Sequence, residues 1–388
     1  MSTPFGYGSL DVGAGLNSGR LKIESFSDRT FQTVADEELG DERTMTGRAL
    51  FTHTLPRDAT FKSAVTLADI NYSEALPATP TAAYQQRLVS AGAEVDLPLG
   101  AGTTLAGGFV FDRSINVKTG GRTSAQDQLS GFGWRAGLTH DLNAELRVHV
   151  SASLRSRFPA LRELYSGALN RFMPNPDLKP ETLLGFETGV TVDRTLGSAP
   201  DARFQLNAFH HNLDNGVVRV TLPAPDNRFR RINRDRIETT GAEMLAGVAF
   251  GDDRARSVTV TGDALIQRIN IVEVTTAGQP SRHAENNPEA RGMVEVGVPL
   301  PLEMRLFTNA RYTGRQYCLN ADTGGEMTLD AKTETNGALE RTFVVSRVRS
   351  VRSVRALVAL DNATNLAVFD QCGLPQPGRT LRVMLSFR

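Results

Sequence analysis

From Glu145 the chain reads Glu-Leu-Arg-Val-His-Val-Ser-Ala-Ser-Leu. In an extended backbone this puts Leu146, Val148, Val150, Ala152 and Leu154 on one face and Glu145, Arg147, His149, Ser151 and Ser153 on the other. The same alternation groups Val258, Val260, Ala264 and Ile266, then Val354, Ala356, Val358 and Leu360, and finally Leu381, Val383, Leu385 and Phe387 opposite Thr380, Arg382, Ser386 and Arg388. One face meets an apolar medium and the other meets water. The pattern predicts about seventeen strands, the first over Pro4 to Val12 and the second over Arg20 to Ser27. Tight connections are expected at Leu55–Asp58, Leu97–Gly102, Asp141–Asn143, Gly251–Arg256, Leu300–Pro301 and Ser350–Ser353. Long ones are expected at Asn71–Tyr84, Lys118–Gln128, Phe158–Pro180, Asn212–Arg234, Thr275–Asn287, Asn320–Leu339 and Ala363–Gly378.

A soluble sandwich also alternates, so alternation alone does not choose between the two. Strand length and loop rhythm do. Many segments exceed the usual soluble strand of roughly 5–6 residues and reach the roughly 9–11 that a tilted strand needs to cross a bilayer. Short turns alternate with long loops, as in outer-membrane barrels, and in lipid only a closed barrel satisfies every backbone group of a sheet. The expected fold is therefore all-β, an antiparallel transmembrane β-barrel.

Composition narrows the choice further. The 388 residues carry 43 basic and 43 acidic side chains, so the excess of positive charge that a nucleic-acid partner demands is missing. No apolar run approaches the roughly 20 residues of a membrane helix. The opening residues, Met1-Ser-Thr-Pro-Phe-Gly-Tyr-Gly, have neither the charged start nor the apolar stretch of a secretory signal.

One long loop carries the most specific signal. It contains Pro159-Ala-Leu-Arg-Glu-Leu-Tyr165, then Asn175-Pro-Asp-Leu-Lys-Pro-Glu181, and leads into Gly185-Phe-Glu-Thr-Gly189. These three segments in this order resemble the stretch that marks TonB-dependent receptors. Tyr312-Thr-Gly-Arg-Gln-Tyr317, Asn362-Ala-Thr-Asn365, Pro377-Gly-Arg-Thr380, Arg231-Ile-Asn233 and Gly241-Ala-Glu243 resemble further parts of the same family. The resemblance implies the C-terminal part of a barrel in the bacterial outer membrane, about 16–17 strands of an expected 22, with no plug domain or signal peptide among residues 1–388, and it leaves open whether these strands close into a barrel alone. It implies uptake of a scarce nutrient such as an iron chelate or cobalamin, with no cofactor. Implied partners are outer-membrane lipid and lipopolysaccharide, the barrel assembly machinery, and an energy-coupling protein acting only through the missing plug. A structural remnant and a passive porin are the rival readings. Relatives end on an aromatic residue, whereas here Phe387 is followed by Arg388.

Within the motif, Pro176 and Pro180 fix φ and bias Asn175 and Lys179 toward extended backbone, and Asn175 and Asp177 suit turn capping. Glu163, Leu164, Tyr165, Asn175, Pro176, Leu178, Pro180 and Glu181 are thus read chiefly as residues that position a loop and strand, with ligand contact the lesser alternative. Arg228, Arg230 and Arg231, with Arg234 and Arg236 nearby, are candidates to bind an anionic chelate or lipopolysaccharide phosphates. The plainer reading has Asp226, Asp235 and Glu238 neutralise them within a solvated wall. Cys318 and Cys372 fall in neighbouring loops at one end and are candidates for a single disulfide. His210 and His211, adjacent in a strand, point to opposite faces, which disfavours a shared metal site. No nucleophile context or phosphate-cradling glycine loop points to catalysis.

Overall fold

A computed structural model describes residues 2–5, 7–28, 30–77, 79–121, 127–195, 201–222, 226, 228–251, 257–272, 283–319, 325–344, 352–371 and 374–387. Among these, sixteen long strands follow one another around a single wall: β1 (Gly8–Phe26), β2 (Val34–Thr54), β3 (Thr60–Ala75), β4 (Ala82–Gly100), β5 (Thr103–Thr119), β6 (Gln128–Asp141), β7 (Leu146–Arg157), β8 (Glu181–Thr195), β9 (Asp201–Thr221), β10 (Phe229–Phe250), β11 (Val258–Ile271), β12 (Ala290–Leu300), β13 (Met304–Thr313), β14 (Lys332–Val344), β15 (Ser353–Asp361) and β16 (Thr380–Phe387). Each pairs antiparallel with its predecessor. Ser2–Phe5 adds a short ladder on the free side of β1. Among the described residues no ladder joins β16 to this opening segment.

The two opening strands expected from the sequence are one continuous strand, β1, because Gly13, Gly15 and Gly19 interrupt the alternation while the ladder with β2 runs on. The described wall therefore has an even number of long strands. The expected loop over Asn212–Arg234 is also mostly strand: β9 and β10 stay paired from Ala202↔Val248 up to Thr221↔Phe229. Part of the expected Asn320–Leu339 loop likewise belongs to β14. The turns expected at Leu55–Asp58 and Leu300–Pro301 are present, the first as a 3-10 turn over Pro56–Asp58. Most of Gly251–Arg256 and the start of Ser350–Ser353 lie outside the described residues.

The two faces of the wall differ as the alternation requires. Leu306, Leu339, Val358 and Val383 stand directly opposite one another on four successive strands, and all are exposed. The concave face is polar: Lys62 Nζ lies 2.8 Å from Asp96, Arg135 pairs with Glu94, and Asn336 donates to Asn309 at 2.9 Å. Toward the long loops the outer face turns polar in its turn. The change falls between Met45 and Arg43, Leu67 and Asp69, Val89 and Arg87, Phe111 and Arg113, Phe132 and Ser130, Leu154 and Ser156, Leu184 and Thr182, Ala208 and His210, Ala242 and Thr240, and Ile266 and Arg268. Through the cross-strand register this boundary slides ten residues over the nine steps from β2 to β11. At roughly 3.3 Å per residue and 4.8 Å per strand, that slide is a strand tilt of about 37°, within the usual membrane-barrel range.

Candidate functional site

The motif loop between β7 and β8 folds back onto the concave face as a strap. Its first turn is the short helix α1 (Leu161–Tyr165), whose opening is fastened by Glu163: the carboxylate accepts the Ala160 N–H at 2.8 Å and is gripped by both terminal nitrogens of Arg157. Arg157 also pairs with Glu181 at the far end of the motif, and Glu181 accepts the Val217 N–H at 2.6 Å. One guanidinium thus joins the start of the strap to its end.

Leu164 and Tyr165 have no exposed surface, and Leu178 is equally deep. Tyr165 stacks on Tyr84 with ring centroids 5.6 Å apart, and Tyr84 stacks on Tyr72 at 6.0 Å, so three rings from three segments form one column. Two fully buried carboxylates flank it. Glu38 accepts from the Tyr72 hydroxyl at 3.2 Å and pairs with Arg162; Glu74 accepts from the Ser166 hydroxyl and from the Gly167 N–H at 3.3 Å. Gln86 donates to the Pro159 carbonyl at 3.1 Å. These acceptors and donors sit on β2, β3 and β4.

The other end of the strap is sewn to β10. Asn175 donates its amide to the Arg231 carbonyl at 2.8 Å. Asn233 accepts the Lys179 N–H at 2.8 Å and donates to the Lys179 and Asn215 carbonyls. Phe172–Met173 forms a short parallel ladder with Phe229–Arg230. The strap therefore reaches from β2 to β10 along the inside of the mouth.

The arginines proposed to bind anions are placed as follows. Arg228 forks onto Asp226 at 2.8 Å, Arg230 approaches Asn175 Oδ1 at 3.4 Å, and Arg231 donates to the Arg162 carbonyl at 3.1 Å while lying 4.3 Å from the Phe172 ring centre. Arg236 pairs with Asp214 at 2.8 Å. The side chain of Asp235 lies outside the described residues. His210 bonds Thr240 at 2.7 Å on the outer face, and His211 approaches Glu187 at 3.4 Å on the inner one. Cys318 is buried and is not a free thiol, in a two-strand ladder of Gln316–Leu319 with Glu326–Leu329; Cys372 lies outside the described residues. Glu38, Tyr72, Glu74 and Tyr84, which the sequence reading missed, carry no local signal: each is an inward position of a strand whose importance comes only from the strap above it.

The profile of the family described as "TonB dependent receptor-like, beta-barrel" matches residues 3–341. Among curated protein sequences none matches. Among solved structures the fold is similar to that of the copper transporter OprC (13% identity, 98% of this chain and 62% of that one, TM-score 0.73). It is equally similar to that of BauA, the ferric preacinetobactin receptor of Acinetobacter baumannii (13% identity, 98% and 60%, TM-score 0.73). The FrpB iron transporter of Neisseria meningitidis gives a TM-score of 0.71 at 14% identity, over 98% of this chain and 62% of that one. The chain thus spans about three fifths of the length of these structures.

Proposed function

Because the chain belongs to the TonB-dependent receptor-like β-barrel family, whose members are receptors and transporters of the bacterial outer membrane, we propose that it forms the wall and mouth of a receptor for uptake of a scarce nutrient, with a metal chelate the leading ligand class. The observation that carries this reading is the strap. A passive pore gains nothing from two buried carboxylates and a three-ring column that hold a folded segment over the inside of its mouth. A receptor does, because a braced mouth gives a ligand a preorganised concave surface. Energised transport would further require a lumen-filling plug to which a coupling protein has access.

Titration of the purified protein in detergent with ferric catecholate and hydroxamate chelates, cobalamin and cupric ion tests the proposal. Saturable binding of one class and not the others is expected. Absence of binding by every ligand, combined with a steady ohmic conductance in planar bilayers, would replace the receptor by a passive pore.

A further inference from the structure

On β8 to β11 the concave face carries a group of apolar side chains among its polar ones: Leu183, Phe209, Leu213, Ile237 and Leu265 point inward. They border a pocket of about 510 Å³, roofed by the Asn286–Pro288 segment between β11 and β12. Glycine makes the room. Gly241 stands opposite Phe209 in the register, and a Cβ there would come within 2.6 Å of the Phe209 ring. The ring thus leans over bare backbone, with His211 stacked on it at 4.9 Å. The roof is held in place: Gln267 donates its amide to the Pro288 carbonyl at 3.0 Å and its N–H to the Glu289 carbonyl at 2.7 Å, and the Asn286 N–H donates to the Tyr317 carbonyl at 2.8 Å.

The charged groups of this pocket do not satisfy one another. Glu243, Leu265 and Arg291 stand side by side on β10, β11 and β12, so acid and base are about 10 Å apart at the backbone with an apolar residue between them. Both are exposed, and neither side chain has an ion-pair or hydrogen-bond partner among the described residues. Asn286 Oδ1, on the roof, is buried and accepts no hydrogen bond. The neighbouring amides are already used, Gln267 on Pro288 and Asn287 on the Glu285 carbonyl at 2.9 Å. A ligand with only a positive charge would leave Arg291 unmatched, and one with only a negative charge would leave Glu243 and Asn286 unmatched. An α-amino acid with one ionic contact at each end of its head spans roughly 9 Å, which fits the gap.

We propose that this pocket binds a small zwitterion of the amino-acid type. Its ammonium pairs with Glu243, its carboxylate is forked by Arg291, and its apolar side chain lies against Phe209 and Ile237 beneath the roof. Asn286 Oδ1 is the acceptor for a remaining ammonium hydrogen. Charge-assisted bonds at both ends fix the orientation, and the apolar floor supplies the burial. The site is separate from the strap and does not depend on what the braced mouth receives.

Equilibrium dialysis of the 388-residue protein in non-ionic detergent tests the proposal with three probes: L-phenylalanine, phenethylamine, which lacks the carboxylate, and 3-phenylpropionate, which lacks the ammonium. L-phenylalanine should bind saturably in the range of about 1 mM, and each analogue about tenfold more weakly. Glu243→Gln should bring L-phenylalanine down to the affinity of 3-phenylpropionate, and Arg291→Gln down to that of phenethylamine. Glu295→Gln, which removes an inward carboxylate of β12 outside the pocket, should change nothing. The order of the three probes on the unmodified protein decides the matter even if a variant misfolds. No saturable binding of L-phenylalanine, equal binding of the three probes, or full affinity in the folded Glu243 and Arg291 variants would each overturn the proposal.

Discussion

Glu38 is wholly buried, yet it carries a formal charge, so its neighbours must replace the water it has lost. At Oε1 Arg162 and the Tyr72 hydroxyl do so, whereas Oε2 is buried without a hydrogen-bond partner, and the guanidinium in turn lies 5.7 Å from the Tyr72 ring centre. Glu38→Gln keeps the shape and removes the charge, which should cost about 1–3 kcal/mol as Arg162 loses its ionic partner; equilibrium unfolding in denaturant, against Glu145→Gln as an exposed control, measures it. Asp28 lies at the surface, half-exposed, in the loop after β1. Hydrogen bonds from the Thr30 hydroxyl foremost, then from the Thr30 and Thr33 amides, hold its carboxyl at about 2. A carboxyl depressed on folding contributes fully above its unfolded value, near 4, and loses that contribution as pH falls through the folded value. The Thr30 and Thr33 amide resonances should therefore keep their positions down to about pH 3 and shift only near pH 2, whereas in Asp28→Asn they should show no such step. A shift centred near pH 4 would show the turn unformed.

At the scale of elements, what could be read from the chain and what could not have one cause. Alternation reports a strand only where its two faces meet different media. It therefore located β7, β11, β15 and β16, and missed the upper parts of β9 and β10, where Asn212, Asp214, Arg236 and Glu238 face outward and the faces are alike while the ladder continues. β9 and β10 are 21 and 22 residues long, about twice what the bilayer requires. The strap was legible as a motif but not as a brace. Its prolines and asparagines announce a fixed loop, whereas its partners Glu38, Glu74, Tyr84 and Asn233 lie 54 to 124 residues away in sequence and became meaningful only once the wall curved round them. The brace has a measurable consequence. Replacing both Asn175 and Asn233 by Ala removes the side-chain bonds at 2.8 to 3.0 Å that fasten the strap to β10. Residues 166–180 should then become cleavable by protease at least tenfold faster, while the wall stays resistant. Equal cleavage rates would mean that the column of three tyrosines alone holds the strap. The pairing of Cys318 with Cys372 would add a second fastening at the mouth; mass spectrometry of non-reduced peptides should find the two joined, and two alkylatable thiols would exclude it.

For the molecule as a whole, the tilt and the boundary make one prediction about depth. The sequence contains a single tryptophan, Trp134, on the outward row of β6, one outward position below Phe132 and two below the first polar residue, Ser130. At a tilt of about 37° and roughly 3.3 Å per residue, that puts its ring about 10 Å beneath the polar edge. The ring is flanked by Phe109 and Leu154 on the neighbouring strands, so it is held at that level and not free to swing toward the headgroups. Reconstituted into bilayers of lipids carrying bromine at defined positions of the acyl chain, Trp134 should be quenched most by bromines in the upper half of the chain, less by those near the terminal methyl, and little by aqueous iodide. The same wall folded as a soluble sandwich would bury Trp134 between two sheets, and no bromolipid would reach it. A wall whose boundary ran level with the strand register from its place on β11, without tilt, would carry the hydrocarbon edge on β2 ten residues away from the Met45–Arg43 step. Quenching of the double variant Met45→Trp, Trp134→Phe settles that point: with the tilt, the relocated indole lies just below the edge and responds to the shallowest bromines, and without it the indole escapes them altogether.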